Sequence, residues 1–75
     1  MIFTDSQRSY VEHLVGDYFG DRITMLAPQQ QDTLTALVGE IIWQEGIEAL
    51  TPARLKSVTE LATDHPWDGG FNTVL

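Results

Sequence analysis

The chain has 75 residues, 43% of them hydrophobic and 20% charged, with four Lys and Arg against eleven Asp and Glu for a net charge of −7. That composition belongs to a folded domain and not to a disordered chain, and the length allows one core. The absence of cysteine excludes disulfides and thiolate sites. Arg8, Arg22, Arg54 and Lys56 are too few and too scattered to track a phosphate backbone, which argues against direct nucleic-acid binding.

The first element is a helix over residues 5–19. Thr4 followed by Gln7 has the spacing of a capping box, in which the hydroxyl and the amide side chain each satisfy a free backbone N–H. Tyr10, Val11, Leu14, Val15, Tyr18 and Phe19 then gather on one side of a 3.6-residue spiral, opposite Ser9, Glu12, His13 and Asp17. Tyr10 and Tyr18 are interface candidates by residue type, but their place on this stripe assigns them to the core. Gly20 is suited to end the helix, and residues 21–27 read as a connector with a short extended piece.

A second helix is expected over 28–45, with Pro28 in its first turn, Asp32 near its positive end and Gly46 ending or bending it. At about 100° per residue, Leu34, Leu37, Val38, Ile41 and Ile42 form a stripe of roughly 140°. Trp43 lies almost opposite, with Ala36 and Gly39 beside it, and Ile47 too if the helix runs through Gly46. A helix apolar on two sides is normally buried on both. Helices one and three cover one side, so the Ala36–Gly39–Trp43 side needs either the chain's own tail or another polypeptide.

The third helix is expected over 52–64, capped by Thr51, opened by Pro52 and carrying Leu55, Val58, Leu61 and Ala62 as its stripe. Pro66 disfavours helix at His65. The tail, residues 65–75, holds Trp67 and Phe71 between bends at Pro66 and Gly69–Gly70 and has no Lys, Arg or Glu, so it should dock. The expected fold is a small all-α three-helix bundle with an ordered, apolar C-terminal tail, forming one domain over residues 1–75.

Chemistry is sparse. His13 with Asp17, and His65 beside Asp64, fall short of the four ligands of a structural zinc site. The serines lack a histidine–acid constellation, the carboxylates fall at surface or loop positions, and "GDYFGD" is no phosphate loop. No metal, cofactor or enzymatic activity is expected. "LTPARLKSVTELA" has the cap and stripe of a helix-turn-helix element, but the surrounding charge is negative.

The expected function is therefore a protein-interaction module that occupies a larger partner stoichiometrically, with inhibition as one outcome, as in a viral or mobile-element antagonist of a host protein. The expected contacts are Ala36, Gly39, Trp43, Ile47, Trp67 and Phe71, with Asp17, Asp21, Glu40, Glu45 and Glu48 as an acidic rim that steers a basic or nucleic-acid-handling partner. Two alternatives stand beside it: a homodimer through helix two, and an acidic mimic of nucleic acid. No signal peptide or long apolar run is evident in the sequence, which gives a cytoplasmic, membrane-free expectation.

Overall fold

A computed structural model describes residues 3–67 and 70–72. Three α-helices, α1 (Asp5–Phe19), α2 (Pro28–Glu45) and α3 (Pro52–Thr63), are joined by 3₁₀ segments at Gly20–Met25 and Ile47–Ala49. The chain is an all-α three-helix bundle in which α2 packs against both α1 and α3.

Local chemistry sets the helix ends. Gln7 N–H donates to Thr4 Oγ1 at 3.2 Å while Thr4 N–H donates to Gln7 Oε1 at 2.9 Å, closing the capping box of α1. At α2 the Gln30 side chain reaches back to accept from Ala27 N–H at 2.9 Å, and Pro28 stands where no amide hydrogen is needed. Gly46, at φ 97°, ends α2 and donates its N–H to the Ile41 and Ile42 carbonyls. Thr51 caps α3 by accepting from Arg54 N–H at 3.2 Å. Asp64 adopts a left-handed conformation, φ 57° and ψ 29°, so α3 stops at Thr63, one residue before the expected end.

The connector after α1 is not extended. Its residues keep winding as a 3₁₀ helix, with Thr24 Oγ1 donating to Asp21 O at 2.8 Å. Gln31 of α2 then clasps the turn from outside, its Nε2 donating to the carbonyls of Ile23 and Leu26 at 3.1 and 2.9 Å. This holds Leu26 in the core.

Val11, Val15 and Phe19 of α1 meet Leu34 and Val38 of α2 and Leu55 of α3 in the core. Thr35, Thr59 and Thr63 are buried as well, and each donates its hydroxyl to the carbonyl four residues earlier, at 2.7–2.9 Å. Thr59 fills a core position of α3, whereas Leu61, assigned to that stripe by its spacing, is 73% exposed. The buried side of α3 runs through Leu55, Thr59 and Thr63, and Leu61 lies well around the helix from it.

The tail docks, and does so at the end of α1. Trp67 is only 7% exposed and its ring centroid lies 5.3 Å from that of Phe19; Phe71 meets Phe19 edge-on at 5.2 Å and stacks on Trp67 at 6.1 Å. Polar bonds hold the path: Trp67 N–H donates to Glu60 Oε2 at 3.0 Å, the indole N–H to Gly70 O at 3.3 Å, and Asn72 N–H to Tyr18 O at 2.7 Å. The last of these satisfies a carbonyl that the end of α1 leaves open. Gly69 and residues 73–75, also assigned to the tail, lie outside the described residues, as does Asp68.

Trp67→Ala should destabilise the bundle by about 3–5 kcal/mol, read from denaturant unfolding. Tyr18 supplies a pH test. Burial, chiefly, and then the charges of Tyr10 and Asp17 push its phenol above the ordinary value of 10.0. The folded state thus holds this proton more tightly than the unfolded chain, so its contribution is intact below about pH 10 and is lost as pH rises toward the folded pKa. A Tyr18→Phe variant should lose that part of the alkaline decline in the unfolding midpoint.

Candidate interaction surface

Neither Trp67 nor Phe71 of the tail reaches the second apolar side of α2, since both pack on Phe19. The cover of that side is the segment just before α1. A Cβ built on Gly39 would stand 2.5 Å from Phe3 Cζ and 2.9 Å from Cε2, so the Phe3 ring rests on bare helix backbone where only glycine leaves room. Phe3 also tilts against Trp43 at a centroid distance of 5.8 Å, and Tyr10 meets the same indole edge-on at 6.0 Å and 84°. The tail aromatics were unavailable for this role because Phe19 engages both.

The anticipated contact residues accordingly separate. Gly39 is buried beneath Phe3, Trp43 is half-buried, and Ala36, one turn before Gly39, is exposed. Ile47 does not extend that face, because α2 ends at Gly46; it lies half-buried in the second 3₁₀ segment, against the core. Trp67 is core, and Phe71 packs on it half-buried. Tyr10, assigned to the core by its spacing, is 46% exposed, since the inward arc of α1 is centred on Val11, Val15, Tyr18 and Phe19. Of the six, Gly39 and Trp43 meet Phe3 and Tyr10 in one aromatic cluster, and Trp67 and Phe71 belong to another around Phe19.

The acidic residues are distributed over four elements. Asp17 lies on α1, Asp21 on the first 3₁₀ segment, Glu40 and Glu45 on α2, and Glu48 on the second 3₁₀ segment. Glu45 is engaged by both guanidinium nitrogens of Arg54, at 3.1 and 2.6 Å, and this hydrogen-bonded pairing lowers its carboxyl below the usual range. Arg8 bridges Glu12, at 3.0 Å, and Asp32, at 2.9 Å, tying α1 to the second turn of α2. The Asp32 carboxylate expected to complement the helix dipole thus has a cation as well.

His13 and Asp17 line an open depression of about 340 Å³ with Ser9, Glu12 and Gly16. Among the described residues no group of three or more His, Cys, Asp or Glu is arranged to hold a metal ion, and no helix is long and apolar enough to cross a membrane.

Phe3 and Arg8 are the residues that sequence reasoning missed. A signal existed for the first: an apolar residue immediately before an N-cap usually packs back on the chain as a staple, and the fourth helical position here is Arg8, which offers it no apolar partner. Phe3 turns to α2 instead.

Two glycines of these helices should respond oppositely to alanine. Nothing lies within 4 Å of a Cβ at Gly16, so Gly16→Ala should raise stability by about 0.5–1 kcal/mol through helix propensity alone. Gly39→Ala should keep the helical content but evict the Phe3 ring, read as a red shift of Trp43 fluorescence in a Trp67→Phe background.

No family model matches this sequence, and no curated protein and no solved structure shows significant similarity to it.

Proposed function

We propose that this chain is a small acidic protein-interaction module that works by stoichiometric binding to a partner protein, with the Phe3–Tyr10–Trp43 patch as its contact centre. The observation that carries the reading is Tyr10: nearly half exposed, yet braced edge-on against Trp43. Tyrosine and tryptophan dominate binding energy at interfaces, and an aromatic side chain already held by its neighbours loses little further freedom when a partner covers it.

Charge supports a basic partner. With a net charge of −7, the chain would attract a positive surface over long range, with carboxylates at the rim accelerating encounter and the aromatic patch supplying the short-range affinity. Such a partner includes proteins that handle nucleic acid. The chemistry needed is occupation of a surface, for which no catalytic group is required, and blocking that surface would make the chain an antagonist.

The test is capture from a cell extract on the immobilised chain. Tyr10→Ala should reduce the captured partner at least about tenfold, since interface aromatics commonly contribute 2 kcal/mol or more, while helical content stays unchanged. Raising ionic strength should slow association. Undiminished capture by both Tyr10→Ala and Trp43→Ala would remove this patch as the contact.

A further inference from the structure

The two most exposed large hydrophobic side chains among the described residues are Leu61, at 73%, and Met25, at 71%. Neither belongs to the aromatic patch. Both border depressions along another side of α2, where it faces α3. Leu61 and Leu37 form the lips of a groove of about 270 Å³ whose floor holds the buried Ile41 and Val58. Met25 borders a second depression of about 200 Å³, with Pro66 and Trp67. On α2 the groove is lined by Leu37, Glu40, Ile41, Gln44 and Glu45 and the second depression by Gln30; of these, Gln30, Leu37 and Gln44 are seven residues apart and hence on one line of the helix. That line follows the seam between α2 and α3 for about 21 Å from Gln30 to Gln44, the length of a four-turn helix.

We propose that this α2–α3 seam docks one amphipathic, basic helix of a partner protein, its apolar face between Leu37 and Leu61 and its cationic flanks toward solvent. The proposal rests on the reading of the chain as an interaction module but uses a side of α2 away from Trp43. Charge selects the occupant. Glu40 and Glu45 stand at the groove, where the guanidinium of Arg54 is engaged by Glu45. Elsewhere Arg8 and Lys56 also lie in ion pairs, which leaves three of the four Lys and Arg side chains paired on a chain of net charge −7. A second copy would bring −7 against −7, whereas a Lys- or Arg-rich helix gains attraction at the rim and burial in the groove.

The probe is a synthetic Leu/Lys peptide of about 18 residues with leucines at i, i+3, i+4 and i+7. It is compared with a peptide of the same composition whose leucines are scattered around the helix, and with a Leu/Glu counterpart. Amide shift mapping on the full chain should centre on Leu37, Ile41, Val58 and Leu61, and both control peptides should bind at least tenfold more weakly. Leu61→Gln, a neutral change at an exposed position, should weaken the patterned peptide at least tenfold without altering helical content, while Tyr10→Ala leaves that affinity unchanged. Equal binding of the scattered peptide, shifts that follow the carboxylates instead of the groove, or indifference to Leu61→Gln would overturn the proposal. So would sedimentation of the free chain as a dimer that Leu61→Gln dissolves, since the occupant would then be a second copy. Loss of capture with Tyr10→Ala beside intact peptide binding separates the two surfaces.

Discussion

Everything in this bundle is arranged around the ring of Phe19. It is fully buried at the end of α1, where Gly20 turns the chain away, and it receives Trp67 on one side and Phe71 on another. Aromatic neighbours at these separations contribute beyond the area they bury. The tail is thereby a structural element: it closes the end of the core that α1 and the helices beside it leave open. With the tail committed there, the second apolar side of α2 had to be covered otherwise, and Phe3 covers it.

Much of this architecture is written in local signals. The capping pair Thr4 and Gln7, the Thr51–Pro52 start and the Gly46 stop act within a few residues, so each could be read without knowing what the helix would pack against. The double-sidedness of α2 was equally legible, because 3.6-residue geometry places Trp43 away from Val38 and Ile41 whatever surrounds it. Identifying the cover was a different problem. Phe3 and Gly39 are 36 positions apart, and nothing in the spacing of either announces the other. The same limit explains Leu61 and Tyr10. Each sits at the edge of an apolar arc, and whether an edge position is buried depends on where the neighbouring helix crosses. That crossing set Thr59 inward and Leu61 outward.

The distribution of charge carries the functional argument further than any single site does. Arg8 spans α1 and α2 through Asp32, Arg54 spans α3 and α2 through Glu45, and Lys56 approaches the carboxylate that also accepts from Trp67 N–H. These pairs are exposed, so each contributes modestly to stability. Each pair sums to no net charge, so the long-range field of the molecule remains that of its −7, and the contact surfaces proposed above would favour positively charged counterparts.

The buried threonines have a separate implication. Thr35, Thr59 and Thr63 each return the hydroxyl hydrogen to a carbonyl of the same helix. None of these three bonds reaches across to a neighbouring helix to fix its rotation or its slide. Within the described interior the mutual placement of the helices is therefore governed by interlocking shape, and a lattice of that kind tolerates volume-preserving exchanges at many positions. Such an interior can drift far in sequence while the same architecture persists.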